Sequence, residues 1–353
     1  MVMKDIDWSG LSFGYVPTDY NVRCCYNNGK WGEIEVCSDE YLKLHMAATC
    51  LHYGQEAFEG LKAFRCPDGK VRVFRMDENA ARLQSTCRGI MMPEVPTELF
   101  CEMVKKVVRL NQEYIPTYES GASLYIRPLL IGTTAQVGVH PATEYMFLIF
   151  VTPVGPYFKG GFSTNPYVII RDYDRSAPLG TGVYKVGGNY AASLKANAIA
   201  HEKGYACEFY LDAKEKKYMD ECGAANFFGI KNNTYVTPKS TSTVRILWNL
   251  SALYLHTQVF SQLHQTLVGD RWEDRGTLRS YVCIVLNTEE VGSSTLVHVF
   301  LLLGVEIELA SITLLVSDRI GSERSSIVAT HLIDTCSERS RAVEITDNDV
   351  WVG

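Results

Sequence analysis

The first half of the chain switches between strand-like and helix-like patterns of apolar residues. Residues 70–75 (KVRVFR) alternate between polar and apolar side chains, which predicts a β-strand. Asp77 is then placed to cap a helix with apolar residues at helical spacing, and Pro93 is expected to end it. A second helix is predicted from about Thr97. Its buried stripe should consist of Phe100, Met103, Val104 and Val107.

The next apolar segments are longer and lack helical spacing. Residues 123–131 and 145–151 are rich in β-branched and aromatic side chains, which predicts two interior strands. Residues 153–166 (PVGPYFKGGFSTNP) are rich in glycine and proline. Such a stretch is typical of a loop, and its position makes it a candidate linker between two domains.

Strand and helix signals return after this stretch. Residues 167–170 and 207–211 are predicted strands, and residues 191–203 are a predicted helix that the following glycine ends. A hairpin is also expected, because an Asn-Asn pair separates two strand-like segments. These segments are residues 227–231 and 234–237.

Composition narrows the possible classes of protein. A chain of 353 residues is long for one hydrophobic core and long enough for two domains. The formal net charge is −6 and no run of Lys or Arg stands out, so no nucleic-acid partner is expected. The 11 cysteines form no C-x-x-C pair and no zinc-ligand spacing with histidine. We therefore expect no metal site, and reduced thiols in the cytoplasm.

No membrane segment is expected either. Residues 1–10 (MVMKDIDWSG) contain acidic side chains where a signal peptide needs an apolar stretch. The most hydrophobic segment, residues 299–316, is interrupted by Glu306 and Glu308. The sequence therefore favours a cytoplasmic protein without a membrane partner.

A lysine among glycines is the first candidate for chemistry. Lys185 lies in GTGVYKVGGNY (residues 180–190), where glycines allow the backbone to approach a ligand closely. Desolvation of a lysine amine lowers its pKa and makes it a nucleophile for Schiff-base formation. A surface lysine in a turn would show the same local pattern. The motif alone is therefore weak.

Seven stretches together resemble the fold-type IV enzymes that use pyridoxal 5′-phosphate (PLP), most closely the branched-chain amino-acid aminotransferases. They occur in the family's order and at about its spacings, and the resemblance covers residues 1–242 but not the tail, residues 243–353. The stretches are LHYGQEAFEGLKAFR (51–65), NAARL (79–83), SLYIRPLLIG (123–132), VTPVGPYFKGG (151–161), YKVGGNY (184–190), ECGAANFFGI (221–230) and YVTP (235–238).

The resemblance implies a mixed α/β (α+β) architecture of two domains with PLP between them. It implies a smaller N-terminal α/β domain over residues 1–157 and a linker over residues 158–170. A larger C-terminal, PLP-binding domain with barrel-like β structure is expected over residues 171–353, of which residues 243–353 are atypical. It also implies a homodimer, which composition by itself does not indicate.

The resemblance assigns four residues to the cofactor. Lys185 matches the lysine that forms the Schiff base with PLP and then moves a proton from the substrate Cα. Glu221 matches the carboxylate that keeps the pyridine nitrogen protonated. Tyr190 matches the tyrosine that binds the phenolic oxygen. Arg82 matches the arginine that holds the phosphate, a task that suits a planar, permanently charged group.

Further residues match the family's substrate pocket. Tyr125 and Arg127 lie two apart on a predicted strand and so share a face, where Arg127 could accept the second carboxylate of glutamate. Val137 and Val139 match a loop that reaches the partner subunit's site, and Ala224 stands where some relatives carry Thr. The implied apolar side-chain pocket consists of Phe13, Tyr53, Phe58 and Tyr157. Without the resemblance, such aromatic residues would be assigned to the core.

The tail after Ser242 does not continue the resemblance. Relatives continue with a helix start that binds the phosphate and, later, a Gly-Thr-Ala turn. The segment most similar to that turn is EEVGSSTLV (289–297), in which Thr295 would be the cofactor contact. Two accounts remain open. The tail has diverged, or it comes from an altered reading frame or a fusion.

The favoured function is PLP-dependent transamination of leucine, isoleucine and valine with 2-oxoglutarate, giving 2-oxo acids and L-glutamate. The partners expected are thus small-molecule substrates. One alternative is a D-amino-acid aminotransferase or aminodeoxychorismate lyase of the same fold type. Another is a non-catalytic or damaged family member with an altered C-terminal tail.

Overall fold

The computed structural model describes residues 3–155 and 167–223 with their side chains. Five further strands are described by their backbone alone: Asn226–Lys231, Thr234–Val236, Val282–Leu286, His298–Leu301 and Ala342–Ile345. Within this part of the chain, no helix has the length and apolar character needed to cross a membrane. The predicted domain boundaries at residues 157 and 170 stay predictions, and residues 156–166 lie outside the described part.

The described elements comprise α-helices, short 3₁₀ helices and strands. The α-helices are α1 (Thr49–Tyr53), α2 (Met76–Gly89), α3 (Thr97–Leu110) and α4 (Gly187–Glu202), and the 3₁₀ helices are Trp8–Gly10, Gln112–Tyr114, Tyr118–Ser120 and Thr181–Val183. The strands are β1 (Asn21–Asn27), β2 (Lys30–Trp31), β3 (Glu35–Cys37), β4 (Glu56–Phe58), β5 (Leu61–Arg65), β6 (Val71–Phe74), β7 (Ser123–Gly132), β8 (Tyr145–Val154), β9 (Tyr167–Ile170), β10 (Cys207–Leu211), β11 (Met219–Cys222), β12 (Asn226–Lys231), β13 (Thr234–Val236), β14 (Val282–Leu286), β15 (His298–Leu301) and β16 (Ala342–Ile345).

The described residues form two compact units. The first contains residues 3–155, residues 184–189 and β16. Its antiparallel sheet has the order β16-β6-β5-β7-β8-β1-β2, and β3 and β4 pair with β1 and β7. The central pair β7–β8 is in continuous register from Ser123↔Val154 to Gly132↔Tyr145. Such long interior strands explain the apolar runs at these positions, since both faces are covered.

Helix α3 packs its apolar stripe against β8 and β1. All four residues of the predicted stripe are fully buried, so that prediction is confirmed. The Phe100 ring stacks on Phe147 of β8, with 5.9 Å between the ring centroids. This contact joins the helix to the centre of the sheet.

The predicted ends of helix α2 are wrong. Asp77 is not its cap, because the helix begins at Met76 and the preceding residue is Arg75, which has a φ of 45°. Asp77 lies instead in the first turn, where a negative charge interacts favourably with the helix dipole. Pro93 does not end the helix, which stops at Gly89.

The second unit contains a three-stranded sheet with the order β11-β10-β9, in which β9 and β10 are parallel. A separate sheet has the order β13-β12-β14-β15, and its β12–β13 pair confirms the predicted hairpin. Helix α4 begins four residues before the predicted start and ends ahead of Gly204, whose φ is +80°. Ala196 of this helix forms a small core with Tyr210 and Ile170.

We expect Phe100→Ala to lower the free energy of unfolding by about 3–5 kcal/mol, because it leaves a cavity against Phe147. Urea unfolding of the purified protein measures this loss. The control is Glu102→Ala on the exposed face of the same helix, which should change stability by less than about 0.5 kcal/mol. Equal midpoints for the two variants would contradict the described packing.

Candidate active site

The backbone of Lys185 is fixed on both sides. Its carbonyl accepts a hydrogen bond of 3.1 Å from the Phe58 N–H on β4. Its own N–H donates to the Thr86 hydroxyl on α2, also at 3.1 Å. The side chain is only 2% exposed, and its Nζ lies 4.7 Å from the centroid of the Phe58 ring. The amine is therefore withdrawn from water and held against an aromatic face, unlike a surface lysine in a turn.

Close packing around this segment accounts for two glycines. A Cβ atom at position 187 would lie 1.8 Å from Oε1 of Glu56, and one at position 89 would lie 2.2 Å from the ring of Tyr184. Neither position can therefore carry a larger residue without displacing its neighbour. Burial raises the pKa of the half-buried Glu56 carboxyl, and the charge of Arg127 opposes this shift.

Strand β7 places a charged and an aromatic side chain beside Phe58. The guanidinium carbon of Arg127 lies 4.8 Å from the centroid of the Phe58 ring, and Nη2 of Arg127 donates to the Tyr125 hydroxyl at 3.0 Å. Phe13 meets the Tyr125 ring edge-on, with 5.2 Å between centroids. The first unit thus brings together five of the residues proposed from the sequence. They are Lys185, Phe58, Arg127, Tyr125 and Phe13.

Arg82 is buried on helix α2, one turn before Thr86. Residues four apart share a helix face. Arg82 therefore projects from the same face of α2 as Thr86, whose hydroxyl binds the Lys185 N–H. Nε and Nη2 of Arg82 each lie 2.8 Å from an oxygen of the Glu59 carboxylate. The Asn79 amide also donates to Glu59, at 2.9 Å.

Glu221 lies in the second unit, on β11, and is 3% exposed. Its Oε2 is 2.8 Å from Nε of Arg175, and the Arg175 Nη1 donates to the Gly182 carbonyl at 3.1 Å. An adjacent cation stabilises the ionised form of a buried carboxylate. The Arg175 guanidinium is thus a charged partner for the buried Glu221 carboxylate.

The structure describes four of the remaining predicted residues. Tyr190, in the second unit, lies in the first turn of α4 and is partly buried. Tyr53 is half exposed, and its hydroxyl donates to the carbonyl of Val137. Val137 and Val139 are 85% and 83% exposed. Three further residues lie outside the described part of the chain, namely Tyr157, Ala224 and Thr295.

Three residues that contact the predicted site residues were not identified from the sequence. They are Thr86, Glu59 and Arg175. Thr86 follows Arg82 by one helical turn, so helical spacing could have placed it on the same face. Glu59 lies directly after Phe58, in a matched stretch, but nothing local shows that it pairs with a residue 23 positions away. Arg175 lies in a loop among other charged residues, and no pattern distinguishes it. In the described part of the chain, no group of His, Cys, Asp and Glu is arranged to hold a metal ion.

Comparison with known proteins defines the class. The family model for amino-transferase class IV matches residues 56–246. The branched-chain-amino-acid aminotransferase of Haemophilus influenzae is 48% identical over 279 residues, which cover 77% of this chain and 80% of that relative. The enzyme of the same name from Helicobacter pylori is 46% identical, covering 72% of this chain and 75% of its own length. The chain therefore belongs to the branched-chain aminotransferase family within class IV.

Solved structures support the fold. The Escherichia coli branched-chain amino acid aminotransferase gives a TM-score of 0.59 at 24% identity, covering 77% of this chain and 84% of its own. The enzyme from Thermobaculum terrenum, solved in its PLP form, gives a TM-score of 0.65 at 16% identity, covering 94% of this chain and 99% of its own. These similarities confirm the mixed α/β fold that the sequence predicted.

Proposed function

We propose that the chain catalyses PLP-dependent transamination of leucine, isoleucine and valine with 2-oxoglutarate, giving 2-oxo acids and L-glutamate. The observation that carries this proposal is the setting of Lys185. Its amine is buried, and its backbone is bound on one side by Phe58 and on the other by Thr86. In a chain of this family, such an amine is suited to covalent chemistry on an aldehyde.

The buried polar groups fit PLP. This cofactor carries an aldehyde, a phosphate ester and a pyridine nitrogen, and when bound it supplies an electron-accepting ring. Lys185 offers an amine for the aldehyde, Arg82 a planar cation for the phosphate and Glu221 a carboxylate for the nitrogen. All three side chains are more than nine-tenths buried. Thr295 would add a phosphate contact, but it lies outside the described residues.

Each of these residues has a separate task in the proposed reaction. The Lys185 amine would take the proton from the substrate Cα and deliver it to the carbon of the cofactor's aldehyde group, so the same group would act as base and acid. Glu221, which forms an ion pair with Arg175, would hold a proton on the pyridine nitrogen. Tyr190 would orient the ring through a hydrogen bond to its phenolic oxygen.

The aromatic side chains around Arg127 suit both substrates. Phe58, Tyr125 and Phe13 present apolar surface to a branched side chain, while Arg127 offers a charge to the second carboxylate of glutamate. The pocket would be completed by Tyr53, Tyr157 and Ala224. One methyl group changes binding by only about 1–3 kcal/mol, so the preference among the three amino acids will be modest.

The exposed apolar side chains of the first unit support a homodimer. The segments around Ala47 and Gln136 are joined by a hydrogen bond of 3.0 Å from the Gln136 N–H to the Ala47 carbonyl. Five exposed apolar residues, here called the apolar patch, lie on or close to these segments: Met46, Leu51, Tyr53, Val137 and Val139. A contiguous apolar patch on a soluble surface is typical of an interface. We place the dimer contact at this patch. We also propose that the protein is cytoplasmic.

Charges in the apolar patch should break the dimer. We expect Val137→Asp/Val139→Asp to convert the protein to monomers, because burying unpaired carboxylates costs several kcal/mol. Light scattering during gel filtration measures the mass. The matched control is Val137→Thr/Val139→Thr, which keeps the side-chain shape without charge and should stay dimeric. A double aspartate variant that stays dimeric at the same concentration would exclude this patch as the interface.

Two experiments test the proposed function. The first compares turnover of L-leucine, D-alanine and aminodeoxychorismate, and only L-leucine should react rapidly with 2-oxoglutarate. The second reduces the protein with borohydride in the presence of PLP and maps the peptides by mass spectrometry. A pyridoxyl group on the peptide that contains Lys185 is expected. Absence of any pyridoxyl peptide would favour the non-catalytic alternative.

A further inference from the structure

We propose that Glu59 is a positioning residue that fixes the guanidinium of Arg82 to receive the phosphate ester of the cofactor. This inference rests on the proposed function, because it takes PLP as the ligand. It adds a role for a residue that does not itself touch the cofactor. The observation that carries this inference is the pair of hydrogen bonds between the Arg82 guanidinium and the fully buried Glu59 carboxylate.

The contacts of Glu59 involve both of its oxygens and are buried. The residue is 0% exposed, and its two oxygens lie 2.8 Å from Nε and 2.8 Å from Nη2 of Arg82. Asn79 donates to Oε2 at 2.9 Å and to the Gly60 carbonyl at 3.2 Å. The carboxylate is therefore held by side chains about one helical turn apart, at positions 79 and 82 of α2.

This geometry fixes the orientation of a flexible side chain. An arginine has several rotatable bonds, and ordering them during ligand binding reduces affinity. Two parallel hydrogen bonds to one carboxylate hold the plane of the guanidinium in advance. Because Nε and Nη2 bind Glu59, the position of the planar guanidinium is fixed, and the direction in which Nη1 points is fixed with it. The orientation of that nitrogen is thus set before a ligand arrives.

The pair also determines how a phosphate would be recognised. Arg82 and Glu59 carry opposite charges, so together they add little net charge to the site. A phosphate ester would then be bound mainly by a directed hydrogen bond, in addition to any contacts from the tail. If Glu59 only joined α2 to the end of β4, its loss would weaken the fold without selective loss of phosphate recognition.

The test compares PLP with pyridoxal, which has the same aldehyde but no phosphate. Dissociation constants of both are measured by absorbance titration of the purified full-length protein, and their ratio reports recognition of the phosphate. We expect Glu59→Gln to lower the preference for PLP by about tenfold or more, because a charge-assisted contact is disturbed. Affinity for pyridoxal should stay within about twofold of the unmodified protein.

A matched control comes from the same helix. Glu78 forms an ion pair with Arg75 at the start of α2. Glu78→Gln therefore makes the same chemical change in another carboxylate that pairs with an arginine. It should leave the preference for PLP over pyridoxal unchanged. A loss of preference in both variants would show a general effect of weakening α2 and would overturn the role of Glu59.

Two further variants keep the test decisive. Glu59→Asp retains the charge but is one methylene shorter, so it cannot keep both bonds. It should also lower the preference for PLP, and it decides the matter if Glu59→Gln does not fold. In an Arg82→Met background, Glu59→Gln should cause no further loss, because Glu59 acts through Arg82.

The outcomes separate the two proposals. If a folded Glu59 variant keeps or increases the preference for PLP while Arg82→Met lowers it, the role of Glu59 is overturned and the role of Arg82 stands. If the unmodified protein binds PLP no better than pyridoxal, the proposed phosphate contact fails, and the role of Glu59 fails with it.

Discussion

Replacing Lys185 with alanine should lower the rate of L-leucine transamination by about 10³-fold or more, the largest effect expected of any single substitution. The variant loses both the nucleophile for the aldehyde and the base for the substrate Cα. The remaining contacts, from Arg82 and Glu221, would still bind the cofactor without a covalent bond. Activity should therefore fall much more than affinity for PLP.

The measurement is the initial rate with 2-oxoglutarate, alongside the yield of pyridoxyl peptide after borohydride reduction. Lys195→Ala removes an exposed lysine from α4 and serves as the control, with an unchanged rate expected. A small primary amine added to the Lys185→Ala protein should restore part of the rate, because it replaces the missing group. A folded Lys185→Ala protein with the full rate would refute the assignment.

The sequence predicted best those elements whose pattern directly reflects burial. The stripe on α3 repeats at helical spacing because one face of the helix packs on β8 and β1, and every residue of the stripe is buried. Tyr125 and Arg127 were placed on one face by the two-residue period of a strand, and their side chains do meet. Local pattern was sufficient in both cases.

The start of α2 was missed because residue type alone does not fix where a helix begins. Asp77 is a good capping residue by type, yet the chain turns at Arg75, which is buried, left-handed and paired with Glu78. Most contacts that fix the site are also remote in sequence. The Lys185–Thr86 hydrogen bond joins residues 99 positions apart, and no periodicity reports such a contact.

The resemblance supplied what local patterns could not. It named Lys185, Arg82 and Glu221 as a set, but it did not show what holds each of them. The structure adds Thr86 for the first, Glu59 for the second and Arg175 for the third. These supporting residues could be identified only from the structure.

Glu221→Gln should lower kcat for L-leucine by about 10²–10³-fold, the range found when one preorganised electrostatic contact is removed. A neutral amide cannot hold a proton on the pyridine nitrogen, so the charge left when the substrate Cα loses its proton is no longer stabilised. The KM for L-leucine should change little, because Glu221 is not assigned to substrate binding. Glu221→Asp should retain more activity than Glu221→Gln, since it keeps the charge.

Stability must be measured beside activity, because Glu221 forms a buried pair with Arg175. Removing one partner of a buried ion pair costs about 3–5 kcal/mol, so Glu221→Gln and Arg175→Met should both unfold at lower urea concentration. Their kinetics should differ: Arg175→Met keeps the carboxylate and should lose less of kcat than Glu221→Gln. Glu215→Gln, at an exposed position on the same unit, is the control for both measurements. Equal losses of kcat in the two folded variants would mean that activity follows the stability of the pair, and the assigned role of the Glu221 charge would then be wrong.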